Sequence, residues 1–285
     1  MKKLILLLVS AILLLSFTAG CGVGAGGDSY RDNSAQPQQN IENEPVPTAA
    51  EPIDAFALYT SMNSAFEDTT SMQAVLNMQM EMETQGETMT VSMSMGMQQI
   101  IRSETDIDMA MDMNVDMGEQ GQTDMAIFYR DGWLYMDLMG MQIKTAVPIE
   151  DLDDYANTDM FAMIEFAKDA IIDTNVAREG RNTRLEFSLR GEALSETLNR
   201  MAGNLLGDTL DSFGASVSYG DVTVSALIDP DELPIEIIMV FSVEIELNGE
   251  VSSARYNITI GDLAFNTLTE IDFPSDLDSY MEVEM

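Results

Sequence analysis

Methionine sulfur stands out among the groups in this sequence that could take part in chemistry. The 285-residue chain contains 24 Met, one Cys and no His. Without an imidazole, the chain lacks the general base of Ser-His and Cys-His nucleophile pairs and the His ligands of many zinc sites. The residue types therefore predict a binding protein that is not an enzyme, with no catalytic residue and no cofactor.

The methionines are concentrated in one part of the chain, since 19 of the 24 lie between Met62 and Met163. Flexible, polarizable thioethers suit a cavity that adapts to lipid tails or other apolar ligands of varied shape. The same side chains also suit the ordinary core of a half-buried sheet, and methionine sulfur is a ligand for Cu(I). A copper site would need sulfurs from neighbouring strands, because residues i and i+2 of one strand lie about 6.6 Å apart. All three hypotheses remain open at the level of sequence.

Three runs of alternating apolar and polar residues predict the strands that carry most of these methionines. The runs begin near Met72, Met89 and Ile107, and such alternation is typical of strands with one buried and one solvent-facing side. The apolar residues of a following hairpin extend the same face. The candidate ligand-contacting residues are Met78, Met80, Met82, Met93, Met95, Met109, Met111, Met113, Met125, Ile127, Met136 and Leu138.

Acidic residues dominate the charge of the chain. There are 49 Asp plus Glu against 13 Lys plus Arg, which gives a net charge of -36. Such a charge repels phosphate backbones, so nucleic acid is not an expected partner. Asp106, Asp108, Asp112 and Asp116 share one face of a predicted strand, and carboxylate oxygens suit Ca²⁺ or Mg²⁺. A solvated strand face is the favoured interpretation, and the sequence predicts no metal site.

Two turn signals determine how predicted strands pair. Asp131-Gly132 and Asn248-Gly249 are typical of two-residue hairpin loops. Pairing outward from each turn places apolar residues opposite apolar residues, so both hairpins predict a one-sided antiparallel sheet. The pairs expected around the first turn are Tyr129 with Leu134, Ile127 with Met136, and Met125 with Leu138. Around the second turn they are Val243 with Ala254, Phe241 with Tyr256, Met239 with Ile258, and Ile237 with Ile260.

Apolar residues at helical spacing predict three helices, over Ala55 to Phe66, from Thr158 to Ile171, and from Leu194 to Leu205. Residues 182–190 and 215–228 predict further strands between them. Strands and helices are segregated along the chain, so the fold class is α+β. The expected architecture is a large curved antiparallel β-sheet, a half-barrel, with helices that cover its concave apolar face.

The N-terminal residues predict export and attachment to a membrane. A basic start at residues 1–3 and an apolar stretch from Leu4 to Phe17 are typical of a secretory signal peptide, which is too short to span a bilayer. The following Thr-Ala-Gly-Cys resembles a bacterial lipobox, in which the cysteine, here Cys21, receives acyl chains such as palmitate and becomes the mature N-terminus. An uncleaved anchor, or secretion with a free thiol, is the alternative.

Composition divides the chain into three expected parts. Residues 1–21 are the lipoprotein signal peptide, and residues 22–50, rich in Gly, Ser, Asn, Gln and Pro, are a flexible tether. A coil of this length spans on the order of 30 Å. Residues 51–285 form a single α+β ligand-binding domain. The expected location is the extracytoplasmic face of the cell membrane, where a lipid anchor holds the protein.

The stretch from Leu58 to Asp151 carries a family resemblance. Its Ser71-Met72 step, its Met-x-Met strands, the run from Ala126 to Met136 and the Pro-Ile-Glu-Asp turn at residues 148–151 resemble those of uncharacterised Met-rich lipoproteins of Gram-positive bacteria. These lipoproteins are similar to the lipoprotein-carrier-like superfamily, which includes the Gram-negative periplasmic lipoprotein chaperone and mycobacterial lipid-binding lipoproteins. The resemblance implies an open half-barrel, an apolar cavity that accepts acyl chains, and no catalytic residues.

The function expected from residues and resemblance together is the non-catalytic binding or carrying of a lipid or other apolar ligand. The expected partners are that ligand and the membrane, while the sequence indicates no particular protein partner. The alternative is a structural or partner-binding module of the cell envelope that has no ligand, and Cu(I) binding by methionine is a minor alternative.

Overall fold

The computed structural model describes residues 54–67, 69–84, 87–103, 105–118, 121–149, 168–192, 215–247 and 250–283. Helix α1 (Ala55–Glu67) precedes the sheet. The strands are β1 (Ser71–Thr84), β2 (Glu87–Ser103), β3 (Asp106–Asp116), β4 (Gln122–Arg130), β5 (Trp133–Leu138), β6 (Met141–Ala146), β7 (Ile171–Glu179), β8 (Asn182–Leu189), β9 (Ala215–Tyr219), β10 (Val222–Ile228), β11 (Pro234–Leu247), β12 (Glu250–Phe265) and β13 (Met281–Glu282). Single 3₁₀ turns occupy Lys168–Ala170 and Leu277–Ser279.

The strands form one large open sheet in the order β13-β6-β5-β4-β3-β2-β1-β12-β11-β10-β8-β7, with β9 beside β11. Strands β1 to β6 pair with their sequence neighbours as an antiparallel meander. Strand β12 returns along β1 and joins this meander to the second half of the sheet. The one parallel pair among the described strands is β13 with β6.

Both predicted hairpin registers are confirmed. Asp131 and Gly132 have φ values of 52° and 78°, as a two-residue turn with two left-handed residues requires. The pairs around this turn are Tyr129 with Leu134, Ile127 with Met136, and Met125 with Leu138. The Asn248-Gly249 turn lies outside the described residues, but its strands pair as expected: Val243 with Ala254, Phe241 with Tyr256, Met239 with Ile258, and Ile237 with Ile260.

Alternating burial makes one face of the sheet the main hydrophobic core. In β8 every second residue from Thr183 to Leu189 is buried, and β10 and β12 show the same period. A period of two places these residues on one side of the pleated sheet. The core is therefore built from a single face of a continuous sheet, and it runs across both halves.

Helix α1 packs on the buried face of the sheet. The Asp54 side chain accepts hydrogen bonds from the backbone N–H groups of Phe56 (2.9 Å) and Ala57 (3.1 Å), and this caps the first turn. Tyr59 and Met62 are buried within the main core. The Tyr59 ring meets the Phe187 ring of β8 edge-on, with 5.4 Å between centroids. The first predicted helix is thus present at the expected place.

The second predicted helix is wrong at its C-terminal end. Residues 158–167 lie outside the described residues, but Lys168–Ala170 forms a 3₁₀ turn and Ile171 begins strand β7. β-branched residues are frequent in this segment, and pairing with β8 satisfies its backbone, so the strand prevails over the helical spacing.

The third predicted helix, from Leu194 to Leu205, lies outside the described residues. Helix α1 is the one complete α-helix that the described part of the chain contains. Cover of the apolar face by several helices therefore remains a prediction. In the described ranges there is also no helix of the length and apolarity needed to cross a membrane.

The C-terminal segment runs across the opposite face of the sheet. The Phe273 ring contacts the Phe128 ring of β4 at 6.2 Å between centroids, and Tyr280 contacts Tyr135 of β5 at 5.8 Å. The Arg130 guanidinium lies 5.0 Å from the centre of the Phe273 ring. Strand β13 then joins the edge of the sheet at β6. The first half of the sheet consequently has side chains packed against both of its faces.

Candidate ligand-binding face

Methionines of neighbouring strands stand directly opposite one another on the buried side of β1 to β5. This side of the sheet, from β1 to β6 and β13, is named the Met face. Side chains in directly opposed positions have Cβ atoms about 5 Å apart and are in contact. The opposed methionine pairs are Met82 with Met89, Met78 with Met93, Met97 with Met111, Met95 with Met113, and Met113 with Met125.

The register places all twelve candidate residues on the Met face. One cross-strand row runs from Leu76 through Met95, Met113 and Met125 to Leu138. Each member of the row belongs to a different strand, so the row crosses five of the six strands of the meander. The alternation in the sequence therefore located a surface that is continuous in three dimensions.

Exposure of the methionines on the Met face increases toward one edge of the sheet. In β1 to β3 the candidate methionines are buried, and Met95 is 1% exposed. In β4 and β5 the candidates, such as Met125 and Leu138, are half-buried. On the edge strands β6 and β13, Met141 and Met281 are each 59% exposed. Along the line from Met95 to Met141 the apolar face thus passes from closed core to open surface, whereas Tyr129, Leu134 and Thr145 on the same side of β4, β5 and β6 are buried.

Met109 belongs to a second, smaller core. It packs with Tyr129, Leu134 and Val147, whereas the other buried candidates belong to the main core. The Tyr129 hydroxyl donates a hydrogen bond to the Val147 carbonyl at 3.1 Å, which satisfies a buried polar group. Half-buried Ile127 packs against both cores.

Met97, Met141 and Met281 lie on or beside the Met face although they are not among the candidates. Met97 opposes both Ala74 and Met111. The signal for Met141 is the Met139-Gly140 turn, whose φ values of 53° and 82° resemble those of the other hairpin. This turn places Met141 opposite Leu138. Met281 had no local signal, because its pairing with Ile143 depends on the path of the whole C-terminal segment.

The second half of the sheet continues the apolar face with other residue types. Tyr256 opposes Met80 of β1, and its ring stacks on Phe241 with 4.9 Å between centroids. Burial is the main cause that raises the pKa of the Tyr256 phenol, and the neighbouring Tyr219 raises this pKa further. The tyrosine is therefore a neutral group at the border of the methionines, and it adds no charge to the face.

One acidic residue of the predicted solvated strand face is buried. Asp108 Oδ2 lies 2.7 Å from a terminal guanidinium nitrogen of Arg102, and Asp108 Oδ1 lies 3.9 Å from Arg130 Nε. Asp106, Asp112 and Asp116 are exposed as expected. The hydrogen bond to Asp108, followed by the one to Asp106, raises the pKa of Arg102. These two cations compensate the burial of the Asp108 carboxylate, so the cluster is a structural ion pair.

Within the described part of the chain, no group of three or more Asp, Glu, Cys or His side chains is close enough to hold a metal ion. The Met face offers apolar contact and polarizable sulfur. Chemically, this arrangement is suited to binding apolar groups.

Solved structures that resemble the chain do so at low sequence identity. A DUF1329 family protein from Desulfovibrio piger is 10% identical, with a TM-score of 0.26, over 76% of this chain and 93% of that one. A protein described as an outer membrane lipoprotein-sorting protein domain, from Vibrio parahaemolyticus, is 11% identical, with a TM-score of 0.26, over 79% and 98%. The ywiB protein from Bacillus subtilis is 6% identical, with a TM-score of 0.21, over 67% and 92%. TM-scores of this size do not establish a shared fold.

Sequence comparisons give a family but no characterised relative. No curated protein matches the chain. The match that extends over most of the sequence is to a family model, which covers the sheet from the start of α1 to the C-terminal segment. The chain belongs to this family, a family of unknown function (DUF6612), matched over residues 54–279.

Proposed function

We propose that this protein is a membrane-anchored, extracytoplasmic lipoprotein that binds or carries a lipid or other apolar ligand against its Met face, without catalysis. In this proposal residues 1–21 are the signal peptide, residues 22–50 are the tether, and residues 51–285 are the binding domain. The observation that carries the proposal is the exposure gradient of the Met face, from 1% at Met95 to 59% at Met141 and Met281.

The energetics of an open apolar edge support an apolar ligand. Each methylene group removed from water contributes about 0.8 kcal/mol. Ten methylene groups of an acyl chain on this surface would contribute about 8 kcal/mol, part of which offsets the entropy lost on binding. Methionines adapt to such a chain with little strain because their side chains are unbranched. Half-buried Met125, Met136 and Leu138 would be the first contacts inward from the edge.

The second candidate function is a structural or partner-binding envelope module without a ligand. Its support is that eight of the twelve candidate residues, from Met78 to Met113, are already buried by the protein. Because methionines of neighbouring strands stand opposite one another, Cu(I) binding by their sulfur atoms is kept as a third candidate function. Titration with Cu(I) under reducing conditions tests the latter, and absence of stoichiometric uptake would contradict it.

Removing the exposed methionines of the edge should weaken ligand binding. The double variant Met141→Asn/Met281→Asn should bind a fluorescent fatty acid about tenfold more weakly than the unmodified protein, because apolar contacts are replaced by amides. Fluorescence titration measures this, and native mass spectrometry identifies any lipid that co-purifies. Since both residues are exposed, the fold should be retained.

The matched control is Met139→Asn. Met139 is 79% exposed and lies in the hairpin turn with φ 53°, where Asn is tolerated better than Met. This control should keep the affinity of the unmodified protein. If no lipid co-purifies and the unmodified protein takes up no fluorescent fatty acid, the carrier proposal is wrong.

Loss of Cys21 should release the protein from the membrane or leave it as an unprocessed precursor. A single thiol at the end of the apolar N-terminal stretch is the site of the proposed lipid anchor. The variant Cys21→Ser is expected to accumulate as an unprocessed precursor or in the soluble fraction. Membrane fractionation with mass measurement of the N-terminus distinguishes these forms. Retention of a cleaved Cys21→Ser protein on the membrane would refute lipidation at this residue.

A further inference from the structure

Three methionines form an exposed group at the β6 edge of the sheet. Among the described methionines, Met139, Met141 and Met281 are the ones with more than half of their surface exposed. Met139 lies in the turn between β5 and β6, Met141 begins β6, and Met281 belongs to β13. Met281 pairs with Ile143, which is two residues along β6 from Met141. The side chains of Met141 and Met281 therefore share the Met face.

Other described methionines are far less accessible to a solute. Met80 and Met95 are each 1% exposed and lie in the main core. Protein interiors are close-packed, so a reagent reaches such a side chain only when the structure opens locally. Half-buried Met125 and Met136 lie between these two extremes. The sheet thus divides one type of side chain into a protected set and an accessible set.

Accessible methionine sulfur reacts with peroxides. The sulfur lone pair attacks one oxygen of hydrogen peroxide, the O–O bond breaks, an S–O bond forms, and water leaves after proton transfer. Sulfur loses two electrons, and the peroxide gains them. The product, methionine sulfoxide, is polar, and methionine sulfoxide reductases return it to the thioether while they oxidise a pair of thiols.

Oxidation at this edge would change the polarity of the Met face and leave its backbone in place. Met141 opposes Leu138, a half-buried candidate residue of β5. A sulfoxide at Met141 or Met281 replaces an apolar surface by a hydrogen-bond acceptor, and an apolar ligand that covered it would remove its water. Since both side chains are exposed in the free protein, the sulfoxide oxygen stays hydrated there and the fold is kept.

We propose that Met141 and Met281 are reversible oxidation sites, and that peroxides, by converting them to sulfoxides, lower the affinity of the Met face for its apolar ligand. This inference rests on the proposed function and adds redox regulation to it. Met139 is oxidised as well. Because Met139 lies in the turn, outside β5 and β6, its sulfoxide leaves the affinity unchanged.

Limited treatment of the full chain in nonionic detergent with hydrogen peroxide tests which methionines react. Peptide mapping by mass spectrometry should show Met139, Met141 and Met281 gaining oxygen at least about tenfold faster than Met95, because Met95 reacts only through local opening. The circular dichroism spectrum should be unchanged after this treatment. Neither measurement requires a ligand, so the accessible set is established before binding is tested.

Titration with a fluorescent fatty acid tests the effect on binding. The oxidised protein should bind about tenfold more weakly, and methionine sulfoxide reductases A and B with dithiothreitol should restore the affinity. The control is the double variant Met141→Leu/Met281→Leu, which keeps the edge apolar and retains oxidisable Met139. Its affinity should be the same before and after peroxide treatment.

Different results would overturn the redox proposal and the proposed function. Oxidation of Met95 as fast as Met141 would contradict the division into protected and accessible methionines. Unchanged affinity after full oxidation of Met141 and Met281 would overturn the redox proposal alone, and so would an equal loss of affinity in the leucine variant. Absence of fatty-acid binding before oxidation would overturn the proposed function, and the redox proposal with it.

Discussion

Replacement of Gly191 by Ala should destabilise the protein by about 3 kcal/mol or more. Gly191 follows β8 and is buried. A Cβ atom there would lie 2.0 Å from the Tyr219 carbonyl oxygen and 2.7 Å from the Gly220 carbonyl oxygen. Both obstacles are backbone atoms, so a change of rotamer cannot relieve the overlap.

The backbone around Gly191 has little freedom to move away. The Gly220 N–H donates to the Ser242 carbonyl at 2.9 Å, which ties this segment to β11. On the other side, Val222 of β10 pairs with Leu189 at the end of β8. Displacement of either segment would disturb the pairing of buried strands. The structure therefore allows only glycine at position 191.

Urea unfolding monitored by circular dichroism measures this effect. The matched control is Gly261→Ala on β12, where a Cβ atom would meet nothing within 4 Å and φ is not in the left-handed range. That control should be neutral or slightly stabilising, because alanine lowers the entropy of the unfolded chain. Equal midpoints for the two variants would contradict the steric argument at Gly191.

The sheet of the first half could be predicted from sequence because period-two alternation and two-residue turns act locally. A one-residue shift would turn every apolar side chain of a strand to the polar face. The turn at Asp131-Gly132 therefore determined the partners of Met125 and Ile127 without knowledge of the rest of the fold. The identity of the Met face followed from the same rule.

Features that depend on distant pairing could not be predicted in this way. Ile171 fits a helical stripe, but the availability of β8 as a partner makes it the first residue of a strand. Asp108 fits an exposed strand position, but Arg102 and Arg130 bury its carboxylate. Met281 joins the Met face only because the C-terminal segment reaches β6. None of these contacts leaves a periodic signal in the sequence.

The second large effect is expected at Met95. Its replacement by Ala should lower the free energy of unfolding by about 3 kcal/mol. Met95 is 1% exposed and opposes Leu76 and Met113 on the two adjacent strands. Truncation removes buried apolar contacts and leaves a cavity. Urea unfolding measures the loss. A change smaller than about 1 kcal/mol would mean that the Met face at this position is loosely packed.

The conservative variant Met95→Leu separates the two interpretations of the methionines. A branched side chain of similar volume should keep stability within about 1.5 kcal/mol. If the Met face accommodates acyl chains, Leu should narrow the range of fatty-acid lengths bound, because it adapts less readily than Met. Met239→Leu is the control, since Met239 is equally buried but lies between Val224 and Ile258 in the second half of the sheet. Indistinguishable fatty-acid preferences in both variants and the unmodified protein would assign Met95 to the core alone.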